Sequence, residues 1–487
     1  VAKNLRSASR KPLLKSIGWA SADAIVRVVL LAFATIILSR LVSVEDFGIS
    51  AILLAIAAAA GFLVGTPFEE ALVQRRVLRT IDLRSAFTMS MLLGAVLILV
   101  AILVGPWLAD LYDTPEMAWL LPVVMVSILF NGHGDLSTAL ARRRRRFEDI
   151  AAASLISHAV GVVVTIALAF AGFGLWALVA LRLVVVLVRS VVLQSTQRYP
   201  LAPQISFKSL RALAHHASIS FFDRLAENLT YLVFANLVGL FHGLTSVGYL
   251  NMALRVVEPI RGAIIATTHN LSFPYFRRVS HGLEPVVARD RIIHLLAFII
   301  TAVFAGLAAI MPAMIPFVAG PGWEEAVFIA ICLSAGAAIV LPTRLISTSL
   351  IASGHPIYSL YGNLTSLSLV TLCLLLGRDG PDYLIGLSRL LADIGQAMVA
   401  LFVPLGFLAW SQSSRFRAIL PAWALAALMG LSVGVIGHYL APLGYIATLS
   451  VQVVAGIAIQ FGLMWLFCNQ EMRQLINFMR GRDLGTD

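Results

Sequence analysis

Long apolar stretches broken by short polar ones run through the whole chain. Residues 86–104 and 295–310 carry no charged side chain at all. Such runs approach the roughly 20 apolar residues that a helix needs to cross a hydrocarbon core about 30 Å thick. They lack the strict alternation of a barrel strand, and in lipid only helices and closed barrels satisfy their own backbone. The pattern therefore predicts about fourteen spanning helices. They cover residues 16–41, 47–68, 85–108, 118–140, 151–171, 175–193, 217–240, 248–270, 292–317, 325–353, 357–376, 384–408, 420–440 and 445–468.

The polar connections set the orientation. Lys and Arg crowd into alternate ones: 3–15, 75–84, 142–146, 198–211, 277–291, 415–417 and 473–482 hold about 26 of the 36 basic residues. The opposite connections hold little more than Arg40 and Arg378. An asymmetry this large predicts that the crowded side, with both termini, faces the cytoplasm. The basic stretch from Lys3 to Lys15 leads into an apolar segment of spanning length, as a start-transfer helix that stays in the protein would. The run Arg142–Arg146 reads as a topology anchor on anionic headgroups.

Composition agrees: 59% hydrophobic residues, 13% charged and a mean hydropathy of +0.90 exclude a water-soluble domain. The net charge of +11 is explained by the cytoplasmic connections, so nucleic acid is not an expected partner. Cys332, Cys373 and Cys468 lie in apolar segments without metal-ligand spacing, and His133, His158, His269 and His438 form no metal motif. With no phosphate-binding loop, no metalloprotease or hydrolase signature and only short outward loops, no enzyme activity, metal or cofactor is expected. Coupling to H+ or Na+ stays open.

Six spans precede a polar linker at 194–216 and eight follow it. The expected division is an N-terminal bundle at 1–193, the linker, a C-terminal bundle at 217–408, and two further spans with a tail at 409–487. The halves look alike at an offset of 200 residues. Asp23 matches Asp223, the turn Val44–Gly48 matches Leu244–Gly248, and the exits Arg75–Arg76 and Arg277–Arg278 follow at similar distances. Parallel repeats of this plan place a substrate between the halves and alternate its access.

Ionisable residues within spans are costly, and they mark a bundle interior or a watery cavity. Asp23 and Arg27 lie four apart in the first span, as Arg389 and Asp393 do in the twelfth. The seventh span carries Asp223, Arg224 and Glu227, and the eighth carries Arg255, Glu258 and Arg261. The sixth has Arg182 and Arg189, seven apart and nearly aligned, and the tenth has Arg344 just after Pro342. The competing structural explanation is interhelical pairing, with arginines near span ends such as Arg189 snorkelling to the interface. Arginine outnumbers acid across the set, which suits an anionic, phosphate-bearing cargo.

Several short segments resemble one family. Leu38-Ser39-Arg40-Leu41-Val42-Ser43-Val44-Glu45-Asp46-Phe47-Gly48 looks like the first outward turn of Wzx-type polysaccharide flippases, and Glu70-Ala71-Leu72-Val73-Gln74-Arg75-Arg76 like their second exit. Gly248-Tyr249-Leu250-Asn251-Met252-Ala253-Leu254-Arg255 and Phe273-Pro274-Tyr275-Phe276-Arg277-Arg278 look like the corresponding parts of the second half. These flippases belong to the multidrug/oligosaccharidyl-lipid/polysaccharide superfamily. The resemblance implies a two-bundle helical fold in a bacterial inner membrane. It also implies flipping of an undecaprenyl-pyrophosphate-linked oligosaccharide for surface or exopolysaccharide assembly, with polymerase and chain-length machinery as downstream partners. On that reading Arg27, Arg224, Arg255, Arg261 and Arg344 hold the headgroup in a central cavity. Asp23, Asp223, Glu227, Glu258, Arg389 and Asp393 then serve as ion-pair or coupling residues. A cation-coupled drug antiporter, a peptidoglycan-precursor flippase and a membrane glycosyltransferase or polymerase are the alternatives.

Overall fold

The computed structural model describes residues 10–75, 77–199, 202–214, 219–280, 282, 286–402 and 411–467. Among the described residues the chain is all helix. The helices are α1 (Arg10–Leu41), α2 (Val44–Gln74), α3 (Thr80–Leu111), α4 (Met117–Arg143), α5 (Phe147–Phe170), α6 (Gly174–Gln197), the short α7 (Phe207–Ala214), α8 (Ile219–His242) and α9 (Leu244–Ser280). There follow α10 (Val286–Ala319), α11 (Glu325–Ala352), α12 (Ile357–Leu376), α13 (Tyr383–Phe402), α14 (Gln412–Leu440) and α15 (Tyr445–Phe467). Eleven of these are long and apolar enough to cross a membrane, by length and composition. The chain is a multi-pass membrane protein.

The helix ends follow from local chemistry. Ser43 Oγ accepts the Asp46 N–H at 3.1 Å at the start of α2, and Glu45 and Asp46 in that first turn complement the helix dipole. Asp82 Oδ2 accepts the Arg79 N–H at 3.0 Å to open α3. A single residue, Gly243, joins α8 to α9 at φ +87°, a left-handed conformation that only glycine adopts cheaply.

Contacts divide the chain into two compact units, Val1–Asn251 and Met252–Asp487. In the first, α4 packs on α2, α3 and α6, α5 packs on α6 and α1, and α8 lies along α2. In the second, α10 packs on α11, α14 and α15, and α13 packs on α11 and α12.

Two turns matched in the sequence meet inside the first unit. A Cβ on Gly48 would collide with the Leu244 carbonyl, and one on Gly248 would collide with the Val44 carbonyl. The two matched turns therefore meet reciprocally through their glycines, with partners exchanged as a local twofold would exchange them.

In its described residues the linker is anchored to the rest of the first unit. It carries α7 and is tied to the start of α3. Gln204 N–H donates to Thr88 Oγ1 at 2.9 Å, Ser206 N–H to Ser85 Oγ at 3.0 Å, and Ser209 Oγ to Asp82 Oδ1 at 2.5 Å. Asp82, 1% exposed, also holds Arg75 at 3.1 Å.

Candidate functional site

In the first unit, polar side chains from three helices converge within the spans. On α4, Asn131, Asp135, Thr138 and Arg142 follow one another at steps of four, three and four, and so form one stripe. On α2, Gly61, Gly65 and Glu69 form the facing stripe. A Cβ on Gly61 would lie 3.1 Å from Asn131 Nδ2, and one on Gly65 would strike the Asp135 carboxylate. Only glycine lets the acid sit this close to the α2 backbone. Below it, Arg142 Nη1 pairs with Glu69 at 3.0 Å.

Helix α6 supplies the cations. Arg189 Nη2 donates to Thr138 Oγ1 at 3.1 Å, and Arg182 lies two turns earlier on the same face. Asp135 lies in the electrostatic field of Glu69, Arg189, Arg182 and Arg142. Among the described residues, no hydrogen bond or ion pair at contact distance reaches the Asp135 carboxylate or the Arg182 guanidinium. Asn131, Asp135, Glu69, Arg182 and Arg189 are all half-buried.

The adjoining α4 face locks α4 to α6. His133 Nδ1 is hydrogen-bonded to Ser190 Oγ, and Ser137 Oγ donates to Gln194 Oε1 at 3.5 Å. Tyr199 donates its hydroxyl to the His133 carbonyl at 3.4 Å and stacks obliquely on the ring, with centroids 5.7 Å apart. Burial pushes the Tyr199 pKa up, so the phenol stays a neutral donor.

The run Arg142–Arg146 is a protein clamp before it is a lipid anchor. Arg143 Nη1 donates to the carbonyls of Leu72, Val73 and Arg75 at 3.0, 3.2 and 2.5 Å, and so takes up acceptors that the end of α2 leaves open. Arg144 donates to Gln197 at 3.1 Å and Arg146 pairs with Asp149 at 2.9 Å. Four of the five arginines are thus held by protein groups. Arg145, at φ +56°, is exposed.

The second unit organises its charges differently. Arg389 Nη2 and Asp393 Oδ1 of α13 pair at 3.2 Å and are 5% and 0% exposed. Asp393 presses on Gly336 of α11, where an added Cβ would lie 2.5 Å from its carboxylate oxygen. One turn on, Gln396 Nε2 donates to Asn363 Oδ1 of α12 at 2.7 Å. On α9, Arg261 is buried and pairs with Glu258 at 3.1 Å. Helices α10, α14 and α15 enclose an apolar groove of about 400 Å³, lined by Phe298, Val303, Leu307, Met429 and Ile457 among others.

The expected site residues fall in both units. Arg27 is half-buried on α1. Asp23 also falls on α1, but its side chain, and with it the expected pair with Arg27, lies outside the described residues. On α8, Asp223 and Glu227 are half-buried and Arg224 is exposed; Arg255 on α9 and Arg344 on α11 are half-buried. The structure brings together Glu258 with Arg261 and Arg389 with Asp393. Sequence reading missed Asp135, Glu69 and Asp82. An in-span acid with a Gly-x-x-x-Gly segment two spans before it was the available signal for Asp135.

Comparison with known proteins agrees with this architecture. A family model described as "Polysaccharide biosynthesis protein" matches residues 37–328. The chain belongs to the polysaccharide biosynthesis protein family. Among its relatives is the succinoglycan biosynthesis transport protein ExoT of Rhizobium meliloti (strain 1021), 28% identical over 278 residues, which are 56% of each chain. Another is the lipopolysaccharide biosynthesis protein WzxC of Escherichia coli (strain K12), 23% identical over 325 residues, 64% of each chain. The match thus spans little more than half to two-thirds of these relatives. In fold, the family member resembles the lipid II flippase MurJ in its inward closed conformation. The TM-score is 0.74 at 15% identity, covering 93% of this chain and 99% of that one. An inward-facing multidrug resistance MATE transporter of the MOP superfamily matches with a TM-score of 0.57 at 15% identity, over 82% of this chain and 99% of that one. At these identities the likeness is one of fold. The chain has the fold of the multidrug/oligosaccharidyl-lipid/polysaccharide transporters.

Proposed function

We propose that this chain flips an undecaprenyl-pyrophosphate-linked oligosaccharide across the bacterial inner membrane, for surface or exopolysaccharide biosynthesis. The family match over residues 37–328 is the observation that carries the reading. Relatives named for succinoglycan transport and lipopolysaccharide biosynthesis support the cargo class. The in-span arginines supply what a pyrophosphate requires, because guanidinium forks bind phosphate oxygens in pairs. The apolar groove beside α14 and α15 supplies what an isoprenoid tail requires.

In this reading the chain crosses the bilayer fourteen times with both ends in the cytoplasm, as two repeated bundles followed by two further spans. Arg27, Arg224, Arg255, Arg261 and Arg344 hold the headgroup. Asp23, Asp223, Glu227 and Glu258 balance those arginines in the empty protein.

The test is the leaflet location of lipid-linked sugar in a deletion strain free of paralogues. Accumulation facing the cytoplasm, reversed by re-expression, is the expected result. Normal polymer export in that strain overturns the reading, and dye sensitivity without polymer loss replaces it with drug export.

A further inference from the structure

We propose that Arg182 and Arg189 of α6, with Asn131 and Thr138 of α4, form a phosphate-oxyanion site in the first unit, with Asp135 as its exchangeable counter-charge. This site is separate from the arginines assigned to the headgroup above. It deepens the flippase reading, and rests on it only for the source of the phosphate.

The argument begins with charge balance. Glu69 and Arg142 neutralise each other at 3.0 Å. What remains is one carboxylate, Asp135, against two guanidiniums, Arg182 and Arg189. One positive charge is left over in a segment of mean hydropathy 2.3, where an uncompensated arginine is expensive. An anion is the ligand that completes the set.

Geometry decides how the anion would enter. Arg182 has no contact partner among the described residues, so its fork is available. Arg189 spends one N–H on the neutral Thr138 hydroxyl, which a phosphate oxygen can replace or share. The two arginines stand about 10 Å apart along the helix axis, at a rise of about 1.5 Å per residue. Two long cationic side chains set that far apart on one helix face suit a diphosphate better than a single carboxylate. Their support is rigid, because His133–Ser190 and Ser137–Gln194 fasten α4 to α6.

Asp135 differs from every other in-span acid paired here. Glu69, Glu258 and Asp393 each touch an arginine at 3.0 to 3.2 Å. Asp135 only leans on Gly65, facing Glu69 from α2, Arg182 and Arg189 from α6, and Arg142 from its own helix. A carboxylate held by proximity alone yields its cations to a better anion without breaking a contact.

The full chain in zwitterionic lipid nanodiscs, titrated calorimetrically with inorganic pyrophosphate, tests the site. Losing one charge-assisted bidentate contact is expected to weaken binding about 10-fold in Arg182→Gln and in Arg189→Gln. Arg182→Lys should fall between wild type and Arg182→Gln. Asp135→Asn, which removes the competitor, should bind about 3- to 10-fold tighter. Monodisperse elution of each variant separates these effects from misfolding. Unchanged affinity in both glutamine variants, or weaker binding in Asp135→Asn, overturns the proposal.

Two further arms identify the source. Tighter binding of geranyl pyrophosphate than of pyrophosphate, still dependent on Arg182, assigns the site to a lipid-linked diphosphate. Loss of the Arg182-dependent signal when phosphatidylglycerol is added assigns it to a bulk lipid headgroup. Polymer export in the deletion strain is a separate readout, so the flippase reading can fail while the titration still decides the site.

Discussion

Both units bury a carboxylate against a glycine inside the membrane, yet they treat its charge in opposite ways. In the second unit Asp393 presses on Gly336 and is locked to Arg389 on its own helix, almost fully out of contact with solvent. In the first, Asp135 presses on Gly65 and lies in the field of arginines on another helix, with no contact bond among the described residues. The same device, a glycine that admits an acid to a helix backbone, produces a sealed pair in one place and an exchangeable charge in the other. An i,i+4 pair on one helix stabilises packing whatever the cargo does. Charges drawn from three helices respond to whatever enters between them.

The sharpest way to break this comparison is to remove each acid in turn. Asp393→Ala takes the paired acid from a buried guanidinium and should cost about 3–5 kcal/mol, read as a large drop in thermal stability in detergent. Replacing both partners, as Arg389→Met with Asp393→Leu, should restore most of that loss. Asp135→Ala should cost far less stability while altering pyrophosphate binding. Equal losses at the two acids would show that both pairs are structural.

Adding a methyl group to each glycine probes the same contrast on a smaller scale. Gly336→Ala forces a Cβ to within 2.5 Å of a carboxylate that Arg389 holds in place. Overpacking there should cost about 1–3 kcal/mol. Gly65→Ala meets a carboxylate that can swing away, so its main effect should fall on polymer export rather than on melting temperature. The reverse order would mean that Asp135 is the more tightly fixed of the two.

Gln396→Leu removes the 2.7 Å bond to Asn363 beside the sealed pair. About 1 kcal/mol is expected from unfolding measurements, which would confirm that the α12–α13 seam is a packed polar interface. Smallest of all, Arg378→Ala breaks an ion pair whose side chains are 65% and 86% exposed. Its effect on stability should stay within about 0.5 kcal/mol. A larger effect would undermine the use of burial to rank these pairs.

The helices themselves were readable in the sequence, since every expected span coincides largely with a helix and the breaks fall near Gly and Pro turns. The pairs Arg389–Asp393 and Glu258–Arg261 were readable too, because four- and three-residue spacing places both partners on one helical face. The 200-residue offset was visible in the sequence, and the two turns it matches meet through Gly48 and Gly248. Asp135 was overlooked for a simple reason. Its partners Glu69, Arg182 and Arg189 lie on other helices, about 50 to 70 residues away, so no local spacing announces them. The arginine run was legible only as a charge cluster: five adjacent cations suggest a lipid surface, and the fold adds protein acceptors or acids for four of them.

By itself the sequence determined that the chain is a multi-pass helical membrane protein, because the free energy of placing a helix in lipid is nearly a sum over its own residues. It also determined the sidedness expected of the loops and the surplus of buried cations. For charges on different helices, tertiary structure alone decided which neutralise one another and which remain available. Pairing depends on distances between side chains on different helices, and those distances are set by how glycine, threonine and histidine contacts bring α2, α4 and α6 together.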